Sequence, residues 1–483
     1  MLLTGGLQMT EKLRPDICVL GGGPGGLSVA AAAAAFGVPT VLIERGKMGG
    51  DCLNTGCVPS KSLLAAARRA ELMRNAGVFG LNVQGVGVDF AKVHDHVHSV
   101  IAALAPTDSP ERFAGLGVRV IRQHGRFKDR NTVMAGDAEI RARRFVIATG
   151  SAPAVPPIPG LDGGSFLTNE NVFDLKERPE HLIIIGAGPV GLELAQAFRR
   201  LGSSVTVLEA VRPLANDDPE CVAVLLDRLE REGIVIRSGV RVTGIARAGG
   251  VVTTTIETSG AEQTITGSHL LVAVGRSPQI NELGLEAAGI RHDHRGIIVN
   301  TRLKTSNWRV YAIGDCAAGY PALTHAANYH AGLVIRNALF RLPVRADNSA
   351  IPWVTYTDPE LAQAGLTEAQ ARARGLKFRV ARWAYHDNDR AQIERDSHGH
   401  IKVITTSKGK IVGATIVGAQ AGELIAIWAF AIAQGLNIRA LTNVVLPYPT
   451  LSELGKRAAI DFFTPSLTKS WVRRIISWMR IFG

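Results

Sequence analysis

The sequence predicts an α/β protein. Two Rossmann-like strand–helix–strand units are followed by a smaller α+β domain at the C-terminus. Two observations predict this. First, a glycine-punctuated βαβ pattern occurs twice, and 23 residues separate its first glycine from a terminal acid both times, Gly21 to Glu44 and Gly186 to Glu209. Second, 483 residues at 46% hydrophobic and 20% charged are enough for about three globular domains and argue against disorder.

The elements follow in order. Residues 1–13 form an N-terminal extension without a long apolar segment or a cleavage-site pattern, and Met9 is an alternative start. The first unit is expected over 14–155. Its DICVLG (16–21) reads as a buried parallel strand, GGGPGG (21–26) as the turn, SVAAAAAAF as the helix, and TVLIE (40–44) as the next strand. Gly21 lets the chain turn sharply, Gly23 lets the backbone approach a pyrophosphate, and Gly26 lets helix and strand pack closely. The phosphates would sit at the helix N-terminus, with Glu44 accepting ribose hydroxyls. RARRFVIATG (141–150) reads as a strand closing on a turn at Thr149 and Gly150, and VYAIGD (310–315) as a strand whose Asp315 carboxylate holds a ribityl or ribose hydroxyl. Both complete the first unit.

The second unit is expected over 156–280. HLIIIGAGPVGLELAQAFRRLGSSVTVLEA (181–210) carries Gly186, Gly188, Gly191 and Glu209. Two such units imply two dinucleotides. Glu209 bonds a free 2′-hydroxyl and repels a 2′-phosphate, so NADH is favoured over NADPH, a preference that nearby Arg212 softens. Gly125 and Gly275 are further glycines expected beside the cofactors. Residues 281–350 return to the first unit, 351–465 form the C-terminal domain, and 466–483 are a tail.

GGDCLNTGCVPSKSLL (49–64) holds two of the five cysteines, Cys52 and Cys57. A zinc site needs about four ligands, and Cys18, Cys221 and Cys316 are isolated in sequence. Five cysteines in this length make no disulfide framework, which points to a reducing compartment. A redox-active pair fits better than a metal clip or a structural disulfide. Pro59, Ser60 and the run that follows mark a helix starting beside Cys57, and a helix N-terminus with Lys61 nearby stabilises a thiolate.

GGDCLNTGCVPSK resembles the signature of the flavin-dependent pyridine nucleotide–disulfide oxidoreductases, which include dihydrolipoamide dehydrogenase, glutathione reductase and mercuric reductase. The resemblance extends over about residues 14–463, through ATG (148–150), VGRSP (274–278), YAIGDC (311–316) and YTDPE (356–360). It implies FAD in the first unit and the nicotinamide cofactor in the second. It also implies Cys57 as the thiolate facing the flavin and Cys52 as the interchange thiol. Lys61 would sit by the flavin and pair with Glu193, and Asp315 would hold the ribityl chain. The 351–465 region would be a dimerisation domain that completes the partner's active site in a homodimer.

The sequence also departs from the family. Dithiol-oxidising and disulfide-reducing members carry a His-Pro near the C-terminus followed by a Glu. Here LPYPTLSELGKRAA (446–459) keeps Glu453 but has Tyr448 at the His position, and residues 401–483 contain no His. Tyrosine is a poor base at neutral pH. The expected enzyme therefore leans toward mercuric reductase, whose soft metal acceptor needs no proton-shuttling His. A dihydrolipoamide dehydrogenase-like enzyme is the alternative, and a membrane-associated redox sensor is the alternative of another class. The N-terminal CxxC domain and the C-terminal cysteine pair of mercuric reductases have no counterpart in this sequence. Asp51 sets a carboxylate beside Cys52, which either raises the thiol's pKa or faces the flavin pyrophosphate.

Other signals read blandly. The net charge of +12 is scattered, without the aromatic interleaving of a nucleic-acid groove. HDHVH (94–98) reads as an exposed helix, HDH (292–294) as a turn and HDNDR (386–390) as a loop, so no metal site is expected. No run of 18 apolar residues suggests a spanning helix, and a cytoplasmic protein is expected. In the tail, Trp471, Ile475, Trp478, Met479 and Phe482 share a helical face, with Lys469, Arg473 and Arg480 off it. That pattern suits either a membrane-surface contact or packing onto the dimer.

Overall fold

The computed structural model describes residues 10–161, 166–464 and 470–482. Lys469 lies outside them. The chain opens with β1 (Ile17–Leu20), α1 (Pro24–Ala35) and β2 (Thr40–Ile43). Helices α2 (Gly50–Asn54) and α3 (Cys57–Arg74) follow, then β3 (Val118–Ile121) and β4 (Arg144–Ile147). The second glycine pattern forms β5 (His181–Ile185), α4 (Pro189–Arg200) and β6 (Ser204–Glu209), extended by α5 (Pro219–Arg231) and β7 (Val235–Ser238). Strand β8 (Val310–Ala312) and helix α6 (Thr324–Ala338) come next. The last strands are β9 (Trp353–Thr355), β10 (Glu360–Gly365), β11 (Phe378–Ala384), β12 (His400–Thr406) and β13 (Ile411–Gly418). Helices α7 (Ala421–Ala433), α8 (Glu453–Asp461) and α9 (Ser470–Met479) end the chain.

The residues gather into two compact units. One holds the chain up to Arg178 with His269–Asn348; the other holds Pro179–Ser268 and the chain from Ser349 on. In the first, a parallel sheet runs β8-β4-β1-β2-β3. Strands β1 and β8 read as continuous apolar runs because both faces are covered, whereas β3 at the sheet edge exposes Arg119. Cys18, Leu20, Phe145 and Ile147 pack on one face with Phe127, Val133 and Ile140, while Ile17, Val19 and Val146 pack on the other against α1 and α6. Alternation along a strand dictates this division.

In the second unit, β5, β6 and β7 pair in parallel. The C-terminal sheet is antiparallel in the order β9-β10-β13-β12-β11, with α7 and α8 contributing to its core. Buried charges join these two parts. Arg200 on α4 bridges Glu232 at 2.7 Å and Asp358 at 2.8 Å. Lys402 on β12 bridges Asp218 and Glu220 at 2.9 Å and Glu368 at 2.8 Å.

Two of the bland readings need correction. HDNDR is not a plain loop: Asp389 opens a helical turn, Asp389–Ile393, because the Asn388 side chain caps it by accepting the Ala391 N–H at 3.0 Å. HDH is more than a turn, since His292 and Asp293 pair with Gly296 and Ile297 as a short antiparallel ladder.

Candidate active site: two glycine cradles and a thiol pair

The two glycine turns fold alike. Gly21 and Gly186 take φ of +110° and +106°, a region that favours glycine. A Cβ on Gly26 would stand 1.9 Å from the Gly21 carbonyl oxygen, and one on Gly191 2.0 Å from that of Gly186. Helices α1 and α4 therefore start hard against the strands that feed them. Each begins with a glycine cap, Gly23 or Gly188, and a proline, with no side chain bonding its free N–H groups. Both cap glycines face open space, the nearest atom to a Gly23 Cβ lying 3.9 Å away and none within 4 Å at Gly188. Open space in front of uncapped helix N–H groups suits a diphosphate.

The two acids are also set alike. Glu44 accepts the Gly22 N–H at 2.5 Å and the Gly46 N–H at 2.6 Å. Glu209 accepts the Ala187 and Val211 N–H groups, both at 2.9 Å. A carboxylate has about four lone-pair sites, so each acid keeps acceptors for ribose hydroxyls. Arg212 turns away, donating to the Ala215 carbonyl at 2.5 Å. The residues thus fit two dinucleotides, one in each unit.

Around the first cradle, the Thr149 hydroxyl donates to the Gln279 carbonyl at 2.6 Å, and Gly150 and Gly275 adopt positive φ beside open space. Asp315 accepts the Ser151 hydroxyl at 2.6 Å through one oxygen, which leaves the other for a ligand. Gly125 is buried, and a Cβ there would meet Ile43 at 3.2 Å, so packing accounts for it.

The thiols lie on a tight double helix start. α2 ends at Asn54 and α3 begins at Cys57, so Thr55 and Gly56 alone join them. Asn54 latches the preceding loop by donating to the carbonyls of Met48 (3.0 Å) and Gly50 (2.8 Å). A Cβ on Gly56 would stand 2.7 Å from the Asp51 carboxylate and 3.0 Å from the Asp51 carbonyl oxygen, so Asp51 would have to shift to admit one. Both cysteines are free thiols in the structure, Cys57 exposed and Cys52 half-buried. Cys57 is pulled down to about 6, first by the hydrogen bond from Cys52, with Thr324 and Lys61 adding to it against the effect of burial. Cys52 is pushed up, by that same hydrogen bond, by burial and by the Cys57 charge. The pair thus shares one proton, which stays on Cys52. Thr324 opens α6, and its hydroxyl lies 3.5 Å from the Cys57 sulfur.

Asp51 does not stand alone beside Cys52. Its Oδ1 accepts the Thr55 hydroxyl at 3.0 Å and the Asn169 amide at 2.9 Å, and it faces the Arg276 guanidinium at 3.3 Å. Its charge raises both thiols, as expected, but as the smallest of the influences on each. Asn54, Thr55, Ser151, Asn169 and Arg276 were not singled out from sequence. Arg276 lies within VGRSP, which marked it as belonging to a motif but gave it no role. Asn169 carried no signal.

In the second unit, Glu193 is buried at 4% exposure on α4 and accepts the Tyr356 N–H at 2.9 Å. Tyr448 is 68% exposed, and its hydroxyl donates to Asp389 at 2.6 Å. That hydrogen bond pushes the phenol further up, so even less of it than of free tyrosine is in the phenolate form that could take a proton at neutral pH. Glu453 opens α8. The His94 and His98 rings lie tilted at 44° with centres 4.2 Å apart, but their nitrogens bond Asp95 and the Phe173 carbonyl. Among the described residues, no cluster of three or more His, Cys, Asp or Glu is arranged to hold a metal ion.

Comparison with known proteins adds to this geometry. A family model described as pyridine nucleotide-disulphide oxidoreductase matches residues 15–331, and one for that family's dimerisation domain matches 351–459. The chain is 35% identical over 455 residues to a mercuric reductase of Streptomyces lividans, covering 92% of this chain and 96% of the relative. It is 35% identical over 456 residues to a dihydrolipoyl dehydrogenase of Geobacillus stearothermophilus, with the same coverage of 92% and 96%. Among solved structures, LpdA of Mycobacterium tuberculosis aligns with a TM-score of 0.85 at 27% identity, covering 93% of this chain and 99% of that one. The HOCl-induced flavoprotein disulfide reductase RclA of Escherichia coli aligns with a TM-score of 0.82 at 26% identity, covering 94% and 100%.

Proposed function

The chain belongs to the pyridine nucleotide-disulphide oxidoreductase family, and from that premise we propose that it passes electrons from NADH to a Cys52–Cys57 disulfide and on to a soft metal ion such as Hg(II). Family membership makes it an FAD-dependent oxidoreductase that uses a pyridine nucleotide and carries a dimerisation domain. The observation that carries the proposal is the unequal thiol pair, with Cys57 ionised at neutral pH and Cys52 holding the proton.

When bound, FAD supplies the two-electron relay between nicotinamide and thiols. Gly21, Gly23 and Gly26 with α1 would hold its diphosphate, Glu44 its ribose and Asp315 its ribityl chain. Gly186, Gly188 and Gly191 with α4 would hold the nicotinamide cofactor, and Glu209 would select the unphosphorylated ribose. Cys57 keeps its negative charge against the α3 N-terminus, Thr324 and Lys61. Cys52 would be the thiol that exchanges with or binds the acceptor, releasing its proton to solvent as it does so, because the thiolate is the reacting form. In the homodimer, Tyr448 and Glu453 would complete the partner's site.

The acceptor is argued from Tyr448. A phenol bonded to Asp389 does not take a proton at neutral pH, which disfavours thiol–disulfide exchange with lipoamide. Thiolate binding of a soft metal needs no such base. The experiment is NADH oxidation by the purified enzyme with thiol-buffered Hg(II) and with lipoamide as separate acceptors. Acceleration by Hg(II) with little by lipoamide is expected. The reverse result would establish the dihydrolipoamide dehydrogenase-like reading instead, and no turnover with either would favour a sensor.

For location, the reading is a cytoplasmic enzyme whose tail touches an anionic membrane surface. Among the described residues no helix is long and apolar enough to cross a membrane. Helix α9 exposes Trp471 (58%), Ile475 (46%) and Met479 (59%) and carries Arg473 and Arg474 without an acid, a composition suited to an anionic interface. Sedimentation with anionic vesicles, lost on deleting 466–483 and absent with neutral vesicles, is the expected result. Binding that survives the deletion would refute it.

A further inference from the structure

We infer that Asp51 and Arg276 act as a balanced charge pair that sets the redox equilibrium of the Cys52–Cys57 pair, with Asp51 shaping the loop between the cysteines and Arg276 cancelling the charge it brings there. The inference rests on the reading of Cys52 and Cys57 as the redox centre.

The geometry supports both halves. Asp51 grips the inter-cysteine loop: its main-chain carbonyl accepts the Thr55 N–H at 2.9 Å, and its Oδ1 accepts the Thr55 hydroxyl at 3.0 Å. Asn169 holds the same loop from outside, donating to Asp51 Oδ1 at 2.9 Å and to the Thr55 carbonyl at 3.0 Å. Arg276 anchors this group to the strand end beyond it. Its Nε donates to the Ser151 hydroxyl at 2.7 Å and its Nη2 to the Ser151 carbonyl at 2.8 Å, while Nη1 meets Asn169 Oδ1 at 3.3 Å. Ser151 continues to Asp315 at 2.6 Å. One chain of bonds thus runs from the cysteine loop to the carboxylate expected at the cofactor.

The charge argument follows from the reaction. Reduction breaks the S–S bond and adds two electrons and one proton. The proton stays on Cys52, and one negative charge appears on Cys57. The groups facing that charge are Asp51 from α2, Lys61 from α3 and the Thr324 hydroxyl from α6. Lys61 and Thr324 favour it, and Asp51 opposes it. Arg276, at 3.3 Å from Asp51 with its side chain 25% exposed, offsets the opposition. Removing Asp51 alone leaves Arg276 uncancelled and favours the dithiol. Removing Arg276 alone leaves Asp51 uncancelled and favours the disulfide. A role limited to holding the loop predicts no such opposition of sign.

The test uses the holoenzyme and its D51N, R276Q and D51N/R276Q variants. Each is equilibrated in graded mixtures of reduced and oxidised dithiothreitol, quenched by alkylation, and the disulfide fraction is read by mass spectrometry. Asp51 is partly exposed, so screening limits the effect. The expected shift is ~3- to 10-fold in the redox equilibrium constant, equivalent to about 15–30 mV, toward dithiol in D51N and toward disulfide in R276Q. The double variant should return to within about twofold of the parent by cancellation. R276K keeps the charge without the two-armed grip and should stay near the parent, which preserves the test if R276Q does not fold. Single variants that shift in the same direction, or a folded D51N that does not shift, overturn the inference while leaving the redox pair intact. A parent enzyme that forms no Cys52–Cys57 disulfide in oxidised buffer overturns the functional reading and the inference with it.

Discussion

Cys52→Ala should remove the largest single cause of the acidity of Cys57. In the reduced enzyme Cys57 sits at about 6 against an ordinary 9.0, and the hydrogen bond from Cys52 is the largest cause. At pH 7 those two values correspond to about nine-tenths and about one-hundredth thiolate, a gap of roughly 90-fold. Nucleophilicity falls as a thiol becomes more acidic, with a Brønsted slope of about 0.4–0.5, which takes back roughly 20-fold over this range. The net rate advantage at pH 7 is thus only about fivefold, so the rate at one pH is a weak test. The midpoint of the pH profile is a strong one. The assay is pulsed iodoacetamide labelling of reduced enzyme from pH 5 to 9.5, with mass spectrometry of the Cys57 peptide. Cys18, Cys221 and Cys316 do not compete, because all three are fully buried and burial pushes their thiols up. The parent midpoint should fall near 6, and that of C52A should rise by more than about one unit, since Lys61, Thr324 and the α3 N-terminus remain. Stability provides the sign check. A group with a depressed folded pKa contributes fully above its unfolded value and loses that contribution as pH falls through its folded value. The reduced parent should therefore lose thermal stability between pH 9 and 6 more steeply than C52A. A C52A midpoint that stays near 6 would refute the reasoning and transfer the acidity to the helix terminus and Lys61.

The other predictions concern different parts of the molecule. Gly191→Ala drives a Cβ to 2.0 Å from the Gly186 carbonyl, and should raise the KM for NADH by about tenfold or more with flavin absorbance retained; an unchanged KM would remove that cradle from nicotinamide binding. Lys402→Met leaves Asp218, at 0% exposure, without its cation, and urea denaturation should show a loss of ~3–5 kcal/mol. Tyr448→His places an imidazole where the phenol now meets Asp389, and lipoamide turnover should rise ~10²–10⁴-fold. A folded Y448H enzyme without that gain would show that more than the base is missing.

Much was legible in the sequence because it is local. The glycine spacing names its own strand, helix and strand, since only glycine satisfies the φ of +110° at Gly21 and the 1.9 Å approach at Gly26. The Cys52–Cys57 pair and its helix start were legible for the same reason. The Asn388 cap turned HDNDR into a helical turn through one side-chain bond that composition does not reveal.

The sequence by itself determined the two glycine turns, the spacing of Cys52 and Cys57 and the absence of a histidine at position 448, because each is written in one short stretch of chain. Tertiary structure decided the electrostatics. Asp51 and Arg276 lie 225 residues apart in sequence yet 3.3 Å apart in space, and Asn169 comes from a third segment. Lys402 meets Asp218 across a similar gap. The energy of a charge depends on which opposite charge and how much water surround it. Chain folding fixes both, and no spacing pattern records them.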